Sequence, residues 1–313
     1  MPVIKSCNCN SKHQSLNEKL RKDPTETKTI RQSYARDARK RFRKLKGWIR
    51  KVIEKEDALG IKGKPGMDFN KAENIVITIN QPIAQPQMTE RIESFIGVME
   101  EKIDDDILEQ VKRSVEGENW QNGYVEQSYR KGVKDSANRV SKLPSMEGVS
   151  AIAVEEAMKH PTHVDALGLL QERNFRELKG ATEAMAQEVN RTLTEGVMQG
   201  QSKSKIASAL NDRVDKIGIT RANTIARTET VRAHSNATLN YYQQAGLDGV
   251  EAEVEHSVVD DGRLCETCAG LEGETYKIKE ARGVIPVHPN CRCTWLPVTG
   301  DATNIDKGKY SGS

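Results

Sequence analysis

The stretch Ile285–Val298, IPVHPNCRCTWLPV, packs His288, Cys291 and Cys293 into a few proline-bounded residues. Three donors of this kind so close together read as half of a metal site. The other half lies upstream, in the Cys-Glu-Thr-Cys run from Cys265 to Cys268. Such a knuckle presents two thiolates from one tight turn while intervening backbone N–H groups point toward sulfur. Nineteen residues then lead to His288, a spacing that the return of a hairpin can span. His288 and Cys291, again separated by two residues, fit the second pair. Cys293 competes with Cys291 for one position, and the spacing leaves that choice open. Three thiolates and one imidazole would close a tetrahedral shell with no place for water, so one structural zinc ion is expected rather than a catalytic one. An unmetallated thiol cluster, or a disulfide formed after release from the cell, is the alternative.

Around these ligands the pattern has a period of two. Val250, Ala252 and Val254 alternate, DDGR (260–263) reads as a turn, LEGETYKI as a hairpin strand and CTWLPV as a last strand. Farther upstream the spacing is helical. Ile92, Phe95, Ile96, Met99, Ile103, Ile107 and Val111 share a face, as do Leu178, Ala181, Met185, Val189, Leu193 and Val197. Residues 162–200 read as one long helix or a broken pair. Ser202 is placed to cap a helix carrying Ile206, Ala209, Leu210 and Val214, and Thr220 to cap the next, which ends at Gly246. The fold class expected is α+β: a predominantly α-helical body with a small C-terminal β-rich module, zinc-stabilised.

The same patterns divide the chain into a basic helical segment (1–60), a linker (61–90) and a helical region (91–160). A domain over 161–298 follows, with the Cys/His module at 250–298, and then a loose tail (299–313). Glycines and prolines mark the linker, and IVITI within it could form a short strand.

Composition narrows the class. Charged residues make up 30% and aromatics 4% of the 313 residues, which suits long solvated helices better than a barrel or sandwich. No apolar run approaches the roughly 18 residues of a spanning helix. No secretory h-region follows the N-terminus, so synthesis in a cytosol with reduced thiols is expected. The remaining cysteines, Cys7 and Cys9, are expected to be exposed, with no metal role. The net charge of +3 does not mark the whole chain as a nucleic-acid binder. Locally, however, IRQSYARDARKRFRKLKGWIRK carries ten Lys or Arg against one acid. Arg36, Arg39, Lys40, Arg43 and Lys44 are the candidates for contact with double-stranded DNA, by charge and without sequence readout. A solvated helix face or an acidic protein partner would use the same residues.

Enzymatic templates match these residues only in part. A zinc deaminase needs His-x-Glu, which neither His256 nor His288 begins, and HExxH is absent. His256 with Asp260 and Asp261 could form the acid–base set of a metal-dependent nuclease, although Asp-Asp-Gly-Arg more often makes a turn. Glu229, Arg232 and His234 could line a cleft or form ion pairs. A cellular zinc-dependent nucleic-acid-binding protein is a further reading.

Taken in order, ARTET and VRAHS on a helix, DDGRLCETCAGLEGETY, and IPVHPNCRC before a last strand form a specific combination. It resembles the phage head morphogenesis family, the Mu F-like or SPP1 gp7-like minor capsid proteins. LKGATEAMAQEVNRTLTEGVMQGQSKSKIASAL is similar to the segment that precedes the motif there, so the resemblance covers about residues 160–298. Val254 and Leu264 stand where the family often has an aromatic and a proline. The resemblance implies a non-enzymatic minor virion protein of a tailed bacteriophage, made in the host bacterial cytoplasm and placed inside the head near the portal. Implied partners are the portal protein and the major capsid or scaffolding protein, with a role in head assembly and DNA retention or delivery. A toxin or transferase domain, which some members carry beyond this module, is not expected here.

Overall fold

A computed structural model describes residues 24–60, 85–103, 107, 122–143, 152–246, 253–259 and 261–298. The expected IVITI strand, Cys7, Cys9, Asp260 and residues 299–313 lie outside the described residues. The described residues within Met1–Tyr34, Asn122–Asn174 and Thr224–Ser313 form one compact unit. Those within Ala35–Gln121 and Phe175–Asn223 form a second.

The described residues of the second unit are helical apart from short turns. Its elements come from α1 (Lys28–Arg50), α2 (Gln85–Ile103), α5 (Pro161–Met198) and α6 (Lys203–Arg213). Apolar residues three and four apart face inward: Phe42, Leu45 and Ile49 from α1, Phe95 and Met99 from α2, Met185, Val189 and Leu193 from α5. Trp48 stacks on Phe95 with ring centroids 5.5 Å apart. α5 is uninterrupted over 38 residues, which resolves the choice between one helix and a broken pair.

Ser202 caps α6, its hydroxyl accepting from the Lys205 N–H. Thr220 does not cap α7 (Thr220–Gln244). A wide helical turn over Val214–Ile219 joins α6 to α7 without a break, and the Thr220 hydroxyl donates back to the Asp215 carbonyl. Gly218 is the physical reason. A Cβ there would lie 2.4 Å from the Phe42 ring, so this glycine admits an aromatic rather than ending a helix.

The first unit holds the β module. α3 (Gly123–Val140) and the short α4 (Val154–Lys159) precede α5, and α7 leads into the sheet. Strands β1 (Glu253–Ser257), β2 (Thr275–Lys277) and β3 (Thr294–Val298) pair antiparallel in the order β2-β1-β3. Two short helices, α8 (Glu266–Ala269) and α9 (Ile278–Ala281), complete it. The expected α+β division, with helices in most of the described residues and a small sheet near the C-terminal end, is what the structure contains.

Trp295 anchors the module. It is fully buried, its Nε1 donates to Ser235 Oγ of α7, and its carbonyl accepts from Arg139 of α3. His256 and Tyr276 meet its ring edge-on at 5.6 and 5.4 Å. α3 and α7 approach closely at Gly132, where a Cβ would sit 2.5 Å from the His234 carbonyl oxygen. The ligand-bearing loops are thereby held on a rigid helical base.

Candidate functional site

Two turns build the Cys/His cluster. Cys265 precedes α8 in extended conformation, and Cys268 lies one turn later, closed by the Ala269 N–H donating to the Cys265 carbonyl. In the second turn Asn290 takes the left-handed conformation at φ 65°, which asparagine tolerates better than most residues. There the Cys291 N–H donates to the His288 carbonyl, and the Asn290 N–H to Thr228 Oγ1 of α7. The loop that carries His288 and Cys291 is thus tied to the ARTET segment.

All five sequence-predicted donors come together. Cys265, Cys268 and His288 form one group with ligand atoms within 4.8 Å of one another, and Cys268, Cys291 and Cys293 form a second. Cys268 belongs to both. Cys291 and Cys293 both reach it, so the geometry does not separate these two alternatives. All four cysteines are free thiols, with Cys268, Cys291 and Cys293 buried.

His288 Nε2 lies 3.2 Å from Cys265 Sγ and 3.0 Å from Cys268 Sγ, while Nδ1 lies 2.8 Å from the Pro289 carbonyl oxygen. A carbonyl can only accept, so the proton is on Nδ1 and the Nε2 lone pair faces the thiols. A backbone carbonyl that fixes the tautomer in this way is the usual support of a metal-ligating histidine. Within the thiol group Cys291 is the one shifted toward ionisation. Hydrogen bonds from Cys268 and Cys293, aided by backbone N–H groups of Cys293 and Val287, hold its pKa far below the ordinary thiol value. Cys268 is pushed the other way, first by those same sulfur contacts and then by burial. Soft donors, a presented imidazole lone pair and a dry setting together fit a cation, and the cluster could hold a metal ion.

A fork beside the cluster has no counterpart in the sequence reading. Asp261 accepts from Arg292 Nη1 and Nη2, both at 2.6 Å, and from Arg263. This pins the DGR turn to the Cys-Arg-Cys segment. Arg292, lying between two buried cysteines, was the signal present in the sequence, because a guanidinium held there requires an acid. The Arg292 pair holds the Asp261 carboxyl well below the usual carboxylate range.

The residues considered for acid–base chemistry are placed differently. His256 is fully buried on β1 against Trp295, and burial lowers its pKa. Asp261 has both oxygens engaged by arginines. Glu229 is buried and pairs with Arg232 at 3.3 Å and Arg173 at 3.5 Å. His234 is buried, with Nε2 3.0 Å from Asp135. Glu229, Arg232 and His234 therefore form ion pairs and hydrogen bonds inside the unit, not the wall of a cleft.

On α1, Arg36, Lys40, Arg43 and Lys44 are exposed and Arg39 is half-buried, while Ala38, Phe42, Leu45 and Ile49 are buried on the other face. None of the five candidates has an acidic partner among the described residues. Neighbouring cations are engaged: Lys46 pairs with Asp215, and Arg41 donates to the Ile107 carbonyl.

Among the described residues no helix is long and apolar enough to cross a membrane. Residues 187–296 match the family model described as phage Mu protein F like protein. That span runs from the second half of α5 into β3 and contains all five candidate ligands, so the resemblance carried by ARTET, DDGR and HPNCRC holds. No curated protein and no solved structure matches the chain significantly. The matched family points to a phage head morphogenesis protein.

Proposed function

We propose that this protein is a minor head protein of a tailed bacteriophage, seated inside the head beside the portal and acting in assembly and in DNA retention or delivery. The observation that carries this reading is the Mu F-like match over residues 187–296, whose three marker segments meet around one cluster. Residues 161–298 are its head morphogenesis domain. One structural zinc ion is held by Cys265, Cys268, His288 and either Cys291 or Cys293. Thiolate and imidazole ligands in a closed shell suit zinc and leave no open position for a substrate. The exposed face of α1 supplies Arg36, Arg39, Lys40, Arg43 and Lys44 to duplex DNA, and the portal and capsid or scaffolding proteins are the protein partners.

Recovery of the chain with the portal, from infected cells and from purified particles, tests the reading. Co-purification in a few copies per particle is expected, and absence from particles would overturn it. Elemental analysis of protein purified under reducing conditions is expected to give about one zinc per chain.

A further inference from the structure

The donors of the cluster are unequally exposed. Cys265 is partly exposed, while Cys268, Cys291, Cys293 and His288 are buried. An oxidant arriving from solvent therefore meets Cys265 first. Cys265 and Cys268 lie at the two ends of the first turn of α8, which the Ala269 N–H closes by donating to the Cys265 carbonyl. Cα atoms three residues apart in a helical turn are separated by about 5 Å. That falls within the roughly 4.4–6.8 Å that a disulfide accepts. Their sulfur atoms already lie within 4.8 Å of each other, so a bond between them calls for little displacement of the backbone.

Cys268 is also the donor on which the cluster depends. Both groups of three donors include it, and among the described residues His288, Cys291 and Cys293 form no group of their own. The thiolate is the form of cysteine that ligates a metal, and a disulfide sulfur carries no charge. Oxidation of the Cys265–Cys268 knuckle removes two of four ligands at once, and the surplus cysteine does not complete a shell without Cys268.

We propose that Cys265 and Cys268 form a thiol–disulfide couple whose oxidation releases the metal ion from the cluster. The inference rests on the one-zinc reading above. The oxidant is hydrogen peroxide. The Cys265 thiolate attacks one peroxide oxygen and the O–O bond breaks, giving a sulfenic acid and hydroxide. The Cys268 thiolate then attacks the Cys265 sulfur; the S–S bond forms and the S–O bond breaks, with loss of a second hydroxide. The two sulfurs together lose two electrons, and the peroxide gains them. A reducing bacterial cytosol holds the pair as thiolates on the metal, and an oxidising medium outside the cell favours the disulfide.

The test uses the full chain, purified under reducing conditions and assayed for zinc before treatment. Hydrogen peroxide is added in the presence of a chromogenic zinc chelator, remaining thiols are alkylated, and disulfides are mapped by mass spectrometry. About one zinc ion is expected to appear for each Cys265–Cys268 disulfide, and dithiothreitol with added zinc should restore the loaded state. Cys265→His keeps a zinc ligand but removes the couple, and its zinc release should be slower by at least about tenfold. The mapping on the wild-type chain decides the pairing even where that variant does not fold. A disulfide from Cys268 to Cys291 or Cys293, zinc retained after the Cys265–Cys268 bond has formed, or thiols that stay reduced would overturn this inference alone. Absence of zinc from the reduced chain would overturn the one-zinc reading and the release together.

Discussion

The Cys/His module and the basic face of α1 are both rich in polar side chains, yet they use them in opposite ways. In the module, polar groups are spent on the fold: Asp261 on Arg292 and Arg263, the Trp295 indole on Ser235, His288 Nδ1 on Pro289. On α1, Arg36, Arg39, Lys40, Arg43 and Lys44 have no acidic partner among the described residues. Charge held in a low-dielectric network stabilises only while its partner is present, and removing that partner is costly. Solvated surface charge contributes little to stability and is open to an outside ligand. Substitutions in the module should therefore act on stability, and substitutions on the α1 face on binding.

The largest effect is expected at Cys268, the donor common to both ligand groups. Cys268→Ser should abolish metal binding and unfold the module, seen as loss of the near-UV signal of buried Trp295. Structural zinc contributes about 10–16 kcal/mol of apparent binding free energy in zinc-finger peptides, so losing it should outweigh any single packing change. Cys291→Ser and Cys293→Ser should differ from each other, the non-ligand being the milder. If Cys268→Ser retained both metal and melting temperature, the module would not depend on its cluster.

Next comes the fork. Asp261→Ala leaves Arg292 largely buried without its carboxylate. A loss of about 2–3 kcal/mol is expected, less than the about 3–5 kcal/mol for a fully buried pair because Arg292 keeps some contact with water. Chemical denaturation would measure it, and a loss under about 0.5 kcal/mol would place Asp261 with the solvated charges. The sign with pH follows from the direction of the shift. The folded pKa lies below the unfolded one, so the stabilisation is present above about pH 3.9 and is lost as pH falls through the folded value.

Buried histidines sharpen the contrast at milder pH. Burial lowers the pKa values of His163, His234 and His256. Below the ordinary value of about 6.5 the unfolded chain takes up protons that the folded chain resists, so stability falls with pH through that window. His163 also has both nitrogens in use. Tyr129 donates to Nδ1, and Nε2 donates to Gln244 Oε1, an arrangement that a second ring proton would break. Tm is expected to drop by several degrees between pH 7.5 and 5.5. His256→Phe should reduce the drop without destabilising, because neither ring nitrogen of His256 has a hydrogen-bond partner among the described residues.

The two regions were not equally legible in the sequence. The α1 stripe depends on local periodicity, and its apolar positions Phe42, Leu45 and Ile49 are buried as spacing three and four apart requires. The five donors were legible because ligand spacing is itself local chemistry. What joins them to the helices was not. Ser235 lies 60 residues from Trp295 and Asp261 lies 31 from Arg292, and no periodicity encodes such pairs. Gly218 shows the same limit in another form: the room left by its missing side chain is filled by Phe42, from a distant part of the sequence.

The smallest effect on stability, and the largest on binding, is expected on α1. Neutralising Arg36, Arg39, Lys40, Arg43 and Lys44 to glutamine removes exposed or half-buried charge from one helix face and leaves Phe42, Leu45 and Ile49 untouched. Each such surface change should alter stability by no more than about 0.5 kcal/mol. DNA affinity should fall for every sequence alike. The slope of log K against log salt should flatten by about 0.9 for each phosphate that is no longer neutralised, or about 4.5 for five. Equal binding of a 40-base-pair duplex by variant and wild type at low salt would show that this face serves a protein partner. A large drop in stability would mean that its charges belong to the fold, as those of the module do.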